Sequence, residues 1–159
     1  QALASGDKMD WVVQKAVELG VAAIQPVQAE RSVLRLAGER ADKRRAHWQQ
    51  VAVSACEQSG RNRIPEVAPI QPLLQWLAAA RGQAAWVLAP GGGDGLPAGE
   101  RPEGVVHVLV GPEGGWTEGE LAACDAAGVR RMTLGPRVLR TETAGLAALA
   151  VLQARWGDF

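Results

Sequence analysis

The sequence predicts an α/β domain: a mostly parallel sheet with helices on both faces. Three observations carry that prediction. Segments of helical periodicity alternate with short apolar runs along the whole chain. The apolar runs, such as AAWVLA (84–89) and VVHVLV (105–110), lack strict polar alternation, as strands covered on both faces do. Two glycine-rich bends leave such runs and pass directly into helix-starting segments, VGPEGGWTEGEL (110–121) and LGPRVLRTETAG (134–145).

Taken in order, Asp7 is placed to cap a helix from Lys8 to Leu19, with Val12, Ala16 and Leu19 on one face and Gly20 as its stop. Residues 21–27 (VAAIQPV) read as a short buried strand whose last ladder bond Pro26 limits. A long amphipathic helix is expected from about Glu39 to Ser59. Trp48, Val51, Ala52, Ala55 and Cys56 fall on one stripe, and Gly60 closes it. Pro65 to Pro72 reads as extended, Leu73 to Ala80 as a short helix ended by Gly82, and Ala84 to Ala89 as a strand. Pro90 to Gly104, rich in Gly and Pro, is a loop. A strand follows from Val105 to Val110. Beyond the first Gly-Pro bend, Thr117 and Glu120 form a T-x-x-E capping box, and Trp116 and Leu121 sit where a hydrophobic staple belongs. That helix runs to about Ala127, before Gly128. Arg131 to Leu134 is a strand, Gly135 to Arg140 a loop, and Thr141 caps a last helix to about Trp156. Its stretch GLAALAVLQARW is apolar nearly all round, so it is expected to be buried by its own core or by a second subunit.

Composition bounds the function. The 159 residues suit one domain, and 47% hydrophobic content is that of a globular chain. Lys plus Arg balances Asp plus Glu at 17 each, so whole-molecule attraction to a polyanion is not indicated. Arginines cluster locally, at Arg40, Arg44 and Arg45, at Arg61 and Arg63, and at Arg130, Arg131, Arg137 and Arg140. On charge alone these read as solvated faces. Cys56 and Cys124 lie far apart without ligand spacing and read as reduced core thiols; with the isolated His47 and His107 they suggest no metal site. No charged leader precedes an apolar region, and no run approaches membrane length, which points to a cytoplasmic protein. The first residue is Gln1, so a piece of a longer protein is expected.

Nucleotide motifs are poorly matched. No Gly-Lys-Ser/Thr stands before a helix, so a P-loop is absent. Gly93, Gly95 and Ala98 fit G-x-G-x-x-A formally, but Pro97 sits inside and no helix follows, so the match is chance. The two Gly-Pro bends are the stronger signal. Ligands of parallel sheets sit beyond the carboxyl ends of strands, and glycine lets a ligand approach bare main chain. Bends from neighbouring strands would face one another across a crevice.

VGPEGGWTEGEL followed by LGPRVLRTETAGLAAL resembles the knotted S-adenosylmethionine-binding core of the SPOUT methyltransferases. More narrowly it resembles the RsmE family of 16S ribosomal RNA uridine N3-methyltransferases. KMDWVVQKAVELGV (8–21), ERSV (30–33), ACEQSGRNRIPEV (55–67) and the terminal RWGDF agree in order, so the match spans essentially the whole chain. The resemblance implies a C-terminal trefoil knot, in which the last helix tucks through a preceding loop. It implies a cofactor, S-adenosyl-L-methionine, held mainly by the backbone of Val110, Gly111, Pro112, Glu113, Gly114, Gly115, Leu134, Gly135, Val138 and Leu139. Beside it, Thr143 is a candidate to bond cofactor or base, or else a second cap. It implies a homodimer, and small-subunit 16S ribosomal RNA as substrate. The match begins where the family's N-terminal PUA-like RNA-binding domain ends. The expectation is therefore one methyltransferase domain over 1–159, without that domain.

Methyl transfer to uracil N3 needs a group that stabilises the base anion and an acceptor for the N3 proton. Arg140, at the start of the last helix, is expected to stabilise an oxyanion at O2 or O4. Glu142 is a proton acceptor or an orienting group, or else simple first-turn dipole pairing. Arg31, Arg61 and Arg63 are candidate phosphate contacts. Glu113 either fixes its own turn or touches the cofactor. Two rival readings stand beside this one: a flavodoxin- or Rossmann-like nucleotide enzyme, and a non-catalytic RNA-binding or dimerisation module.

Overall fold

The computed structural model describes residues 1–91, 93 and 95–159; of the PGGGDG bend, Gly92 and Asp94 lie outside the described residues. Helix α1 spans Lys8–Glu18, and α2 spans Gly38–Ser59. Asp7 stands at the N-cap of α1, yet its side chain makes no capping bond. Gly60 ends α2 in the left-handed region at φ 72°, and its N–H bonds Cys56 O.

Pro26 divides the expected strand 21–27. What forms instead is β1 (Ala23–Ile24) and β2 (Val27–Gln28), because proline cannot donate to a ladder. They pair in parallel with β3 (Glu66–Val67) and β4 (Gln71–Pro72). After α3 (Leu73–Ala79) comes β5 (Ala84–Leu88), which lies between β6 (Val106–Leu109) and β7 (Arg130–Met132), again in parallel. The opening residues, unassigned in the sequence reading, stitch the two parts together. Ala2 N bonds Val110 O at 2.8 Å, Leu3 N bonds Val27 O, and Val27 N bonds Gln1 O. Every strand pair described is parallel.

Both faces are covered. Ala85 and Val87 of β5 pack with Trp76 and Leu77 of α3 and with Cys124 of α4 (Glu118–Ala126). Trp86 and Leu88, one residue out of phase, pack with Ala148 of α5 (Thr141–Trp156). A second core joins α1 and α2 through Met9, Val13, Trp48 and Ala52. Trp48 is fully buried there; truncating such a side chain costs roughly 3–5 kcal/mol. Both thiols are free and buried, and burial, with the neighbouring Asp125 and Glu120 charges, pushes the Cys124 thiol up to about 11. His107 bonds Gln83 and stacks edge-on to Trp76, and His47 pairs with Asp10, so both histidines have structural partners. Among the described residues, no helix is long and apolar enough to cross a membrane.

One detail of α5 differs from expectation. Its N-cap is Arg140, and Thr141 is the first helical residue; the Thr141 hydroxyl donates to Gly111 O instead of capping the helix. The helix is only half-buried. Thr141, Ala148 and Leu152 are buried, whereas Ala147, Ala150 and Val151 keep partial exposure. An all-round apolar sequence is therefore left with one uncovered side.

Candidate functional site

A cavity of about 310 Å³ opens at the carboxyl ends of β5, β6 and β7, where parallel sheets bind ligands. Both Gly-Pro bends line it. Of the expected cofactor residues, Val110, Gly111, Pro112, Glu113, Gly115, Leu134, Gly135, Val138 and Leu139 form its wall, joined by Arg140 and Glu142. Gly114 and Thr143 do not. Gly114 O instead accepts from Arg31 Nη1 at 3.1 Å, and Thr143 is exposed, with its N–H on Arg140 O.

The first bend is held from several sides. Trp116 staples α4 together with Leu121, and the capping box is complete: Glu120 N bonds Thr117 Oγ1, and Thr117 N bonds Glu120 Oε2 at 2.9 Å. Glu120 is buried, and its other oxygen accepts from Glu30 N at 2.8 Å. Arg31 bonds Gly114 O and Trp116 O. The ERSV segment thus braces the bend. The bend's glycines serve packing as much as any ligand. A Cβ on Gly111 would stand 3.1 Å from Trp116 Nε1, and one on Gly114 3.0 Å from Arg31 Cβ.

Glu113 fixes the bend to the start of α1. Its Oε1 accepts from Ser5 N at 2.9 Å, Ser5 Oγ at 2.7 Å and Lys8 Nζ at 2.9 Å. Burial alone would raise its pKa. The bonds from the Ser5 amide and hydroxyl, from Lys8 and from its own amide outweigh burial and hold the carboxyl at about 2. Lys8, which the sequence reading gave no role, lines the cavity and lies 4.0 Å from Glu142 Oε2. No local sequence signal marks it, because its partner Glu113 lies 105 residues away.

Among the described residues, two buried polar atoms have no hydrogen-bond partner: Trp116 Nε1, a donor, and Glu142 Oε2, an acceptor. Both residues line this cavity. A buried group left unpaired costs about 1–3 kcal/mol, so their coincidence in one wall marks a place where a polar ligand completes the bonding. Arg140 and Arg137 add cationic groups from the second bend.

The three arginines expected to meet phosphate are not gathered here. Arg31 is spent on the first bend. Arg61 Nη1 bonds Val17 O at 2.8 Å and Val21 O at 3.0 Å, tying down the end of α1. Arg63 is exposed and has no side-chain partner among the described residues. The formal dinucleotide residues Gly93, Gly95 and Ala98 lie in a loop with no helix after it before β6.

Comparison with known proteins adds the following. Residues 1–153 match the model of the RNA methyltransferase domain. The ribosomal RNA small subunit methyltransferase E of Bacillus subtilis is 38% identical over 161 residues, covering 94% of this chain. The crystal structure of a ribosomal RNA small subunit methyltransferase E from Neisseria gonorrhoeae, bound to S-adenosyl methionine, superposes with a TM-score of 0.94 at 49% identity over 100% of this chain. A Legionella pneumophila methyltransferase structure with bound SAM gives 0.91 at 39% identity, also over 100% of this chain. The chain spans 62% of the Bacillus protein and 66% of the Neisseria and Legionella chains.

Proposed function

We infer what this chain does from the fact that it belongs to the RNA methyltransferase family, alongside the small-subunit ribosomal RNA methyltransferases E. Its fold is the SPOUT α/β fold, with the C-terminal trefoil knot that the sequence reading expected. Residues 1–159 act as one methyltransferase domain that binds S-adenosylmethionine and methylates N3 of a uridine in small-subunit ribosomal RNA. The single observation that carries this reading is the cavity between the two Gly-Pro bends, with two buried polar atoms awaiting partners.

The residues present fit the donor. Main chain of Val110, Gly111, Pro112, Glu113 and Gly115 lies along one wall, and Leu134, Gly135, Val138 and Leu139 form the other. Trp116 Nε1 offers a donor to the ligand. Gly135 has φ 79°, a backbone that side chains rarely adopt, and a Cβ there meets nothing, so the bend's main chain stays open to the ligand. When bound, the donor supplies an electrophilic methyl: the N3–C bond forms, the C–S bond breaks with its electron pair on sulfur, and the N3 proton leaves.

This chain's own groups do the rest. Arg140, at the N-cap of α5, meets the charge that develops on a pyrimidine oxygen, aided by the positive end of the helix. Glu142 Oε2, buried and unbonded, accepts the N3 proton. Outside the cavity, Arg63 is the arginine of its segment free to reach phosphate. Two copies pack their α5 helices together, covering the partly exposed Ala147, Ala150 and Val151. The protein works in the cytoplasm.

Calorimetric titration with S-adenosylmethionine is expected to show micromolar binding; a flat titration ends the cofactor assignment. Methylation of undermethylated small subunits should then yield 3-methyluridine by mass spectrometry. A different product nucleoside would keep the cofactor and discard the base.

A further inference from the structure

We propose that Lys8 is a second cation for the pyrimidine base, donating from its ammonium to a carbonyl oxygen beside the reacting nitrogen. The proposal rests on reading the site as a uracil N3-methyltransferase centre. Sequence reasoning placed only Arg140 in that role. Lys8 comes from a different wall, the first residue of α1, and lines the same cavity as Arg140 and Glu142.

An ammonium has three donors. Lys8 commits one to Glu113 Oε1 at 2.9 Å. At 4.0 Å, Glu142 Oε2 is beyond hydrogen-bond reach, though close enough for attraction. Glu113 does not depend on Lys8 for its bonding, since Ser5 N and Ser5 Oγ already reach the same oxygen. A lysine serving only as a strut would be expected to bond both carboxylates. Here the gap leaves free ammonium donors on one side and a buried, unbonded carboxylate oxygen on the other. A ligand group that accepts at one atom and donates at its neighbour fits that gap. The edge of uracil has this pattern, a carbonyl oxygen next to N3–H.

The charge then has a defined course. The N3 proton passes to Glu142 Oε2, and the electron pair stays on N3, with its negative charge spread over O2 and O4. Lys8 meets one of those oxygens, and Arg140 is available for the other. The remaining charged groups on the cavity wall are Glu113, held by Ser5, and Arg137 of the second bend.

The test compares uracil with a base whose N3 proton is more acidic. Small subunits are prepared from cells lacking the modification, grown with and without 5-fluorouracil. They are then methylated with tritiated S-adenosylmethionine by the full-length protein. Lys8→Met should slow transfer about 100-fold on uracil subunits. The defect should shrink several-fold on fluorouracil subunits, because that base needs less help to become an anion. Lys8→Arg should recover most of the rate, and calorimetric affinity for S-adenosylmethionine should stay within about two-fold, well under 1 kcal/mol. An equal defect on both bases, or a collapse of cofactor affinity, overturns the proposal. If thermal melting shows that Lys8→Met does not fold, Lys8→Gln carries the same comparison. A wild-type protein that binds the cofactor yet methylates neither substrate refutes the parent reading, and this proposal with it.

Discussion

The two Gly-Pro bends look alike in sequence and differ in structure. Gly111–Gly115 is tied from four directions: Ser5 and Lys8 on Glu113, Arg31 on Gly114, the Trp116 staple, and the Thr141 hydroxyl on Gly111 O. Residues 135–138 of the second bend are exposed, Val138 to 77%, and among the described residues no side-chain hydrogen bond holds Gly135–Arg140. One bend is a finished surface. The other takes its shape from the ends of β7 and α5. A shared Gly-Pro signature therefore marks where a chain turns, not how firmly the turn is held. The cavity's two arginines, Arg137 and Arg140, sit on the open bend, and the carboxylate Glu113 sits on the braced one.

That contrast makes a sharp prediction for Arg140. Arg140→Ala keeps the backbone carbonyl that receives the N–H groups of Thr143 and Ala144, because the arginine side chain makes no capping bond. Stability should stay within about 0.5 kcal/mol of wild type. Methyl transfer should fall by roughly 100- to 1,000-fold, with the loss in kcat rather than in cofactor affinity. A drop in melting temperature with the rate preserved would mean that the open bend is the structural one.

Gly111→Ala probes the braced bend. The added methyl would lie 3.1 Å from the Trp116 indole nitrogen and 3.2 Å from its Cε2, so the staple must shift. Overpacking of this kind costs about 1–3 kcal/mol. Chemical denaturation should show that loss, with weaker S-adenosylmethionine binding because Trp116 lines the cavity. Unchanged stability would show that the indole has room to move and that the bend is less firmly set than its bonds suggest.

How much of this was legible in the sequence follows from the range of each interaction. The capping box at Thr117 and Glu120 is a four-residue rule and forms as expected. The alternation of elements and the parallel pairing were readable because burial on both faces leaves an apolar signature. Pro26 was read as a limit on one bond, whereas it splits the strand into two two-residue pieces. The Gln1–Leu3 segment was unassigned, because so short a strand has no period to detect. Arg31 and Arg61 were expected to meet phosphate. Their carbonyl partners are respectively 83 and 85, and 44 and 40, positions away, and a surface-charge pattern carries no trace of them. Lys8 was missed for the same reason: Glu113 is 105 residues distant. The bends themselves were legible, while the bonds that brace one and not the other were not.

The smallest expected effect concerns acid. Glu113 is held at about 2 in the folded chain, against an ordinary value of 4.5. Its folded pKa is depressed, so the stabilisation is fully present above pH 4.5 and is lost as pH falls from 4.5 towards 2. The side chain is one quarter exposed, so solvent screens part of the effect. Glu113→Gln keeps an acceptor oxygen for Ser5 but removes the charge that Lys8 and the start of α1 attract. At pH 7 the variant should melt slightly below wild type, and the gap should close as both are titrated below pH 4. The second bend supplies the control, because Arg137→Gln lies on the unbraced side and should give a gap that does not change over that range. If Glu113→Gln and Arg137→Gln follow the same acid dependence, the Ser5–Lys8 clamp is not what distinguishes the bends. The difference would then rest on Trp116 and Arg31 alone.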